Sequence, residues 1–395
     1  MSEAAAEAAR GPLSGIRIVE LGGIGPTLFC GMLLSELGAD IIRIDRLHGY
    51  EGGDEMEMEA RFDLLTRGRR AVPLDLKKPE SVRAVLRMVE RADALIEGFR
   101  PGVAERLGLG PRDCMAANPR LVYGRMTGWG QTGPLARAPG YDINYIALSG
   151  VLHAIGRAGQ PPAVPLNLVA DFGGGSLYLA FGLVSAILES HRSGRGQVID
   201  AAMVDGASSL MTLFYGLRAG GLMGDARGTN RLDTGAPWYD VYETRDGKHV
   251  AIGTGERRFY GNALKVLGLE DAGLPDQFDR AGWPLIRARF TAAFRTRTRD
   301  EWAAMPEAAE ACITPVLSIG ETRQHPHLQA RNILFEMDGV LQPGVAPGFS
   351  RTPGAVRHPP PRRGRYRKDL LHDWGLAPAE VDALQAAGAL PGEPE

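Results

Sequence analysis

Two short runs of this sequence carry side chains that could move a proton or attack an electrophile. Asp171 stands directly before Phe172 and the glycines at 173–175, and Tyr141 stands directly before Asp142. A carboxylate can act as a general base or a nucleophile, whereas a phenol, with an ordinary pKa of about 10, is mainly an acid. Asp171 is also a good residue type for a helix N-cap, and Tyr141 for a buried aromatic at a turn, so structural roles stay open.

Basic residues cluster near the ends of predicted strands, where they could bind phosphate groups. Five of them are candidates for such contacts: Arg43, Arg46, Arg69, Lys77 and Arg100. A guanidinium group can bind a phosphate in a bidentate geometry, and an ammonium group binds it as a point charge. Charged runs of this kind are also typical of a solvated surface, so the residue types alone do not decide between the two roles.

The run Gly22-Gly-Ile-Gly25 lies between the first predicted strand and the first predicted helix. Dinucleotide-binding proteins carry a turn with three spaced glycines at this place, followed about twenty residues later by an acid such as Asp45. The third glycine is missing here, because Leu28 occupies its position and Pro26 already begins the helix. The pattern therefore favours a tight strand-to-helix turn, and nothing else in the sequence favours a nicotinamide-dependent dehydrogenase.

The elements that must position these side chains alternate between strands and helices. Strands are predicted at 16–21, 39–45, 71–76, 94–97, 121–125 and 197–200, and helices at 26–37, 81–92 and 171–191. Strand, helix and strand in this order predict a parallel sheet with right-handed crossovers, and so an α/β fold with a Rossmann-like large domain. The long helix that begins at Asp171 is rich in small residues at its start, which predicts close packing against other elements or a second subunit.

A change of composition divides the chain. We predict that residues 1–217 form the first part of the large Rossmann-like, ligand-binding domain, 218–234 a linker, 235–333 a smaller α+β domain, and 334–395 a return segment that completes the large domain. The linker is rich in Gly, Arg and Asp. Asp246-Gly247 lies between two strand-like runs and predicts a hairpin at the start of the small domain.

Composition excludes several classes of protein. The 395 residues carry a net charge of -2, without the basic excess typical of nucleic-acid binders. Cys30, Cys114 and Cys312 lack metal-ligand spacing, which predicts reduced thiols in a cytoplasmic protein and no metal site. The N-terminal residues have no signal-peptide pattern, and we expect no membrane span, because no apolar run approaches the required ~20 residues.

Longer motifs are more specific than these patterns: Arg125-Met-Thr-Gly-Trp-Gly-Gln-Thr-Gly-Pro134, the run at Asp171, and Gly194-Arg-Gly-Gln-Val-Ile-Asp-Ala-Ala-Met203. With them, the sequence resembles the family III CoA-transferase superfamily, and within it most closely the α-methylacyl-CoA racemase branch. The resemblance extends over nearly the whole chain. It implies a Rossmann-like large domain, a small domain and an interlocked homodimer.

The resemblance also implies roles for individual side chains. In the racemase branch the residue matching Asp171 exchanges the α-proton of the acyl group, and in the transferase branch it is a nucleophile. Tyr141 stands where the racemases carry a catalytic histidine. Glu256 matches a glutamate that supports this histidine, although it is equally compatible with a solvated loop carboxylate. The implied contacts to the phosphates of CoA are Arg46, Arg69 and Arg100, with Arg43 and Lys77 as further candidates.

We therefore expect an enzyme acting at the α-carbon of a 2-methyl-branched or bulky acyl-CoA, with Asp171 as base and Tyr141 as the opposite-face acid. CoA is then part of the substrate, and no other cofactor is required. The first alternative is a family III CoA-transferase, because Gly140-Tyr141-Asp142 resembles a sequence motif common among those enzymes. A further alternative is a non-catalytic acyl-CoA-binding protein that lacks a second base.

Overall fold

The computed structural model describes residues 11–47, 58–362, 364 and 366–392. The chain divides into two compact units. The first contains the residues up to Ser149, Leu166–Leu210 and those from Gln329 on, and the second contains Gly150–Pro165 and Met211–Leu328. The second unit thus includes the predicted linker and also residues 150–165, which the sequence placed in the large domain. These residues are held there partly by Arg157, which contacts the buried carboxylate of Asp240 at 2.8 Å.

The first unit is built on a six-stranded parallel sheet with the order β3-β2-β1-β4-β5-β6. Its strands are β1 Arg17–Leu21, β2 Asp40–Arg46, β3 Arg70–Leu74, β4 Ala94–Glu97, β5 Val122–Thr127 and β6 Val198–Ala202. The first five are almost continuously buried, as expected for a parallel sheet covered on both faces. The strand order reverses between β1 and β4, and ligands of such sheets bind beyond the carboxyl ends of the strands at this point. The predicted Rossmann-like α/β fold is confirmed.

Helices connect the strands and cover the sheet. In chain order they are α1 Pro26–Glu36, α2 Pro79–Val89, α3 Val103–Arg106, α4 Pro111–Ala117, α5 Asp142–Leu148, α6 Val151–Ala154, α7 Leu177–Ser193, α8 Met203–Leu210, α9 Thr212–Ala219, α10 Arg257–Leu267, α11 Trp283–Phe294, α12 Arg299–Ala303, α13 Ile319–Thr322, α14 Pro326–Ala330, α15 Lys368–Asp373 and α16 Pro378–Ala386. Short 3₁₀ turns lie at Ala60–Phe62, Leu64–Thr66, Arg280–Gly282 and Pro306–Ala308. A π-helical segment, Leu168–Ser176, runs directly into α7.

The C-terminal residues complete the core of the first unit. Val85 and Met88 on α2 belong to the same buried apolar cluster as Leu371 and Trp374 around α15 and Leu384 on α16. This burial removes a large apolar area from water and so stabilises the sheet that carries the loops at its carboxyl edge.

The second unit contains a three-stranded antiparallel sheet with the strands β7 Tyr239–Glu243, β8 His249–Gly253 and β9 Ile313–Pro315. The predicted hairpin is present, and Gly247 in its turn has a φ of 73°. A second hairpin, β10 Leu334–Met337 and β11 Val340–Pro343, belongs to the first unit. β9, β10 and β11 were not predicted from the sequence, because their apolar patterns are too short to stand out.

One helix among the described residues, Leu168–Ser193, is long and apolar enough to cross a membrane by length and hydropathy. This corrects the expectation that no segment approaches that length. A single such helix is weak evidence of a membrane span, because the core helix of a soluble protein passes the same test. Leu179, Leu183 and Ile187 of this helix are in fact buried within the first unit.

Candidate active site

Asp171 lies in the π-helical segment, a distorted form of helix that recurs at functional sites. Its carboxylate faces the turn after β1, since a Cβ atom placed on Gly25 would lie 3.6 Å from Asp171 Oδ2. The Ser176 hydroxyl joins the same parts of the backbone, at 2.7 Å from the carbonyl oxygen of Pro26 and 2.9 Å from that of Asp171. The glycine turn therefore leaves room beside Asp171 at the carboxyl edge of the sheet.

The backbone at Asp171 is held by a second, buried carboxylate. Asp142 is 3% exposed, and its Oδ2 accepts hydrogen bonds from the backbone N–H groups of Ala170 at 2.7 Å and Asp171 at 2.8 Å. Its Oδ1 has no hydrogen-bond partner among the described residues. Because Asp142 is the first residue of α5, these bonds fix α5 and the π-helical segment to each other.

The environment of Asp171 favours its use as a base. Burial raises the pKa of its carboxyl group, the hydrogen bond from Asn167 lowers it, and the nearby Asp142 carboxylate raises it further. The Asn167 Nδ2 donates to Asp171 Oδ2 at 3.1 Å. The net effect is a raised pKa, which makes the ionised carboxylate a stronger proton acceptor than an ordinary aspartate. The carboxylate is only partly buried, so a substrate can reach it.

Tyr141 precedes α5 and is 76% exposed, so the alternative role of a buried aromatic is wrong. Its backbone N–H donates to Asn144 Oδ1 at 3.0 Å, and its carbonyl oxygen accepts from the Asn144 backbone N–H at 2.8 Å. The backbone of Tyr141 is thus fixed while its phenol is open to solvent. Because Tyr141 is adjacent to Asp142, it is held close to the segment that carries Asp171.

Tyr145 belongs to the candidate active site but was not among the residues predicted from the sequence. It is 5% exposed, and its ring meets the ring of Trp129 edge to face, with centroids 4.7 Å apart. Burial and the negative charge of Asp171 raise the pKa of Tyr145 to about 12, so its hydroxyl keeps its proton at neutral pH. Its position one helical turn after Tyr141 is the signal that could have identified it.

The predicted phosphate contacts fall into two groups. Arg46, Lys77 and Arg100 are exposed and lie at or just beyond the carboxyl ends of β2, β3 and β4. They therefore occupy the edge of the sheet at which ligands of this fold class bind. The positive charge of Arg100 also lowers the raised pKa of Tyr145, which places Arg100 close to the site.

The positions of Arg69 and Arg43 correct the prediction for these two residues. Arg69 is 1% exposed, and its Nη1 donates to Glu20 Oε2 at 2.9 Å and to the carbonyl oxygen of Leu28 at 2.8 Å. Arg43 is 6% exposed and forms a bidentate pair with Asp45, with both distances 2.7 Å. Since unpaired charges are costly to bury, both guanidinium groups are engaged inside the fold rather than available to a phosphate.

Glu256 lies in the second unit, where it is exposed directly before α10. Its carbonyl oxygen accepts a hydrogen bond from the backbone N–H of Tyr260 at 2.9 Å. Support of residue 141 by its carboxylate stays a prediction. Within the described part of the chain, no group of three or more His, Cys, Asp or Glu side chains is placed to hold a metal ion.

Comparison with known proteins identifies relatives over almost the full length of the chain. Residues 13–367 match the family described as CoA-transferase family III. Proteins named alpha-methylacyl-CoA racemase are 42% identical in Mus musculus and 39% identical in Homo sapiens, each over 95% of this chain and 96% of the relative. The crystal structure of a CAIB/BAIF family protein from Brucella suis is similar with a TM-score of 0.75 and 27% identity, over 89% of this chain and 96% of that chain.

Proposed function

The chain belongs to CoA-transferase family III, and from this premise we propose that it is an isomerase of acyl-CoA thioesters. The reaction is exchange of the α-proton of a 2-methyl-branched or bulky acyl-CoA through an enolate, with inversion at the α-carbon. The observation that carries the proposal is the partly buried carboxylate of Asp171, whose raised pKa suits a base, at the carboxyl edge of the sheet. The sequence identity of about 40% to the two racemases supports isomerisation over acyl transfer.

The proposed reaction uses one group on each face of the α-carbon. The Asp171 carboxylate takes the α-proton, and the electron pair of the C–H bond forms the double bond of the enolate. The Tyr141 phenol then donates its proton to the opposite face and becomes a phenolate. Because Tyr141 is 76% exposed, this phenolate can regain a proton from water, and protonated Asp171 can release its own to solvent. Solvent hydrogen therefore enters the product.

A CoA-transferase is the second candidate function, and the residue at position 141 favours it. Acyl transfer through a covalent intermediate on Asp171 requires no second proton-exchanging group, so a tyrosine is compatible with it. In that reaction the Asp171 carboxylate attacks the thioester carbonyl, CoA leaves as the thiolate, and an acyl anhydride forms on the enzyme.

The deciding experiment is incubation of the purified protein with a single enantiomer of a 2-methylacyl-CoA in deuterated water. We expect one deuterium at the α-carbon together with loss of optical purity, measured by mass and chirality. Transfer of CoA to a free carboxylic acid, with a hydroxylamine-trapped adduct on Asp171 and no α-deuterium, would establish the transferase instead. Tight binding of acyl-CoA with neither result would indicate a non-catalytic acyl-CoA-binding protein.

Binding of CoA is proposed to depend on exposed basic residues at the carboxyl edge of the sheet. A hydrogen bond to a charged group is worth about 1.5–3 kcal/mol, so Arg100→Ala and Arg46→Ala should each raise the Kd for acyl-CoA roughly ten- to a hundredfold. Arg83→Ala is the matched control, because Arg83 is an exposed residue of α2 that pairs with Glu80. Calorimetric affinities unchanged in both test variants would place the phosphate site elsewhere.

A second copy of the chain is the proposed partner. Four apolar side chains of α7 are exposed at helical spacing and form one stripe: Leu177 at 51%, Phe181 at 75%, Val184 at 39% and Leu188 at 53%. A contiguous apolar stripe of this kind is typical of a surface that another protein covers. The family resemblance implies that the covering protein is another copy, threaded through the first.

An interlocked dimer should not dissociate without unfolding. We expect sedimentation velocity to show dimers at every concentration down to the detection limit, with no folded monomer. Phe181→Asp should prevent assembly, because it places a charge in the stripe that the second copy is proposed to cover, and Arg83→Ala should leave assembly unchanged. A reversible equilibrium between folded monomers and dimers would exclude the interlocked arrangement.

A further inference from the structure

The Tyr145 hydroxyl is a polar group in a buried side chain without a partner. Its oxygen makes no hydrogen bond among the described residues, although the residue is only 5% exposed. The hydroxyls of two other buried tyrosines are hydrogen-bonded, since Tyr123 donates to the carbonyl oxygen of Leu109 at 2.8 Å and Tyr242 to that of Pro237 at 2.6 Å. The Tyr260 hydroxyl is also unpaired but sealed from solvent, and that of Tyr145 is not sealed. An accessible donor in a buried side chain indicates a position kept for a ligand.

The local structure places Tyr145 on the helix whose first residue holds the backbone of Asp171. Tyr145 follows Asp142 by three positions, so the two side chains share a face of α5, and Asp142 binds the backbone N–H of Asp171. Two glycines lie next to the phenol oxygen: a Cβ atom on Gly128 would lie 2.2 Å from it, and one on Gly140 would lie 3.1 Å from it. Because these two residues have no Cβ, the phenol ring fits beside the carboxyl end of β5.

The charges around Tyr145 match the position of a thioester. Asp171 raises the pKa of the phenol and Arg100 lowers it, so the hydroxyl lies within the electrostatic reach of both. In the proposed reaction Asp171 must reach the α-carbon and Arg100 the CoA moiety. The thioester carbonyl links these two parts of the substrate, and its oxygen becomes negative when the enolate forms. A donor within electrostatic reach of both groups is therefore a candidate partner for that oxygen.

We propose that the Tyr145 hydroxyl donates a hydrogen bond to the thioester carbonyl oxygen and stabilises the enolate. This rests on the proposed isomerase function. The α-C–H bond breaks, its proton goes to Asp171, its electron pair forms the carbon–carbon double bond, and the carbonyl π pair moves to oxygen. Tyr145 keeps its proton throughout, so it acts as a neutral donor to a developing charge.

The test variant is Tyr145→Phe, which removes the oxygen and keeps the ring against Trp129. Loss of one donor to a developing oxyanion typically costs about 10²- to 10³-fold, so α-deuterium exchange and inversion should fall together by that factor. The melting temperature should not fall, because no hydrogen bond within the protein is lost. Tyr123→Phe is the matched control: it loses the bond to Leu109 and should lower the melting temperature while leaving both rates unchanged.

A binding comparison tests the same donor without turnover. The wild type should bind an acyl-CoA thioester roughly tenfold more tightly than the thioether analogue, in which a methylene replaces the carbonyl. Tyr145→Phe should bind the two equally. Equal affinity of the wild type for both ligands would overturn the proposal even if the variant did not fold.

The outcomes separate this proposal from the proposed function. A wild type without α-deuterium exchange contradicts the isomerase itself. A wild type that exchanges, with an unchanged rate in Tyr145→Phe, contradicts only the role of Tyr145. Selective loss of inversion, with exchange on the Asp171 face intact, would make Tyr145 the opposite-face acid and overturn its assignment as the enolate donor.

Discussion

Asp171→Asn is expected to lower α-proton exchange by about 10⁴-fold, the upper range for the removal of a catalytic base. The amide has nearly the shape of the carboxylate but no basic electron pair to take the proton. The backbone N–H of residue 171 still donates to Asp142, so the melting temperature should change little. Deuterium incorporation followed by mass spectrometry measures the effect. Exchange near the wild-type rate would exclude Asp171 as the base.

The pH dependence provides a separate check on Asp171. Burial raises the pKa of its carboxyl group, so exchange should fall on the acidic side as the pH drops through a value above that of an ordinary aspartate. The hydrogen bond from Asn167 lowers this pKa, and Asn167→Ala should therefore move the acidic limb to higher pH. An acidic limb that stays in place in Asn167→Ala would assign it to another group.

Tyr141→Phe is expected to suppress inversion by about 10²- to 10⁴-fold while deuterium exchange on the Asp171 face continues. The reason is that only the acid on the opposite face is removed. With 76% of the side chain exposed, the substitution should leave the fold and its stability unchanged. Chirality and deuterium content of the same sample distinguish the two steps, and Tyr123→Phe again serves as control.

Tyr141→His should act in the opposite direction. An imidazole titrates near neutral pH and can both accept and donate the proton, so racemisation should become faster than in the wild type. If neither substitution at residue 141 affects inversion, Tyr141 is not the opposite-face acid. If CoA transfer to a free acid is the measured activity, a modest effect of Tyr141→Phe and a trapped Asp171 adduct would favour the transferase.

The sheet was predictable because each of its strands is a local signal. Ile41, Ile42 and Ile44, for example, are apolar and β-branched, and the alternation with helices dictates a parallel arrangement. The position of Asp171 before a glycine run and the exposed position of Arg100 after a strand are likewise local features. These parts of the fold and of the site could therefore be predicted from the sequence.

The remaining features depend on contacts between distant residues. Arg69 is buried because Glu20 on β1 neutralises it, and no pattern near residue 69 shows this pairing. Tyr145 becomes a site residue only when Gly128 and Trp129 pack against its ring. The attachment of residues 150–165 to the second unit likewise depends on Asp240, which lies much later in the chain.

The two hydrogen bonds to Asp142 have a consequence for how this family can change during evolution. They secure the backbone of Asp171 through a carboxylate, while the neighbouring residue 141 exposes its side chain and contributes only backbone groups to the start of α5. A mutation at codon 141 can therefore exchange histidine for tyrosine without disturbing the position of Asp171. A new reaction type can therefore arise in such a lineage through one substitution that leaves the protein folded.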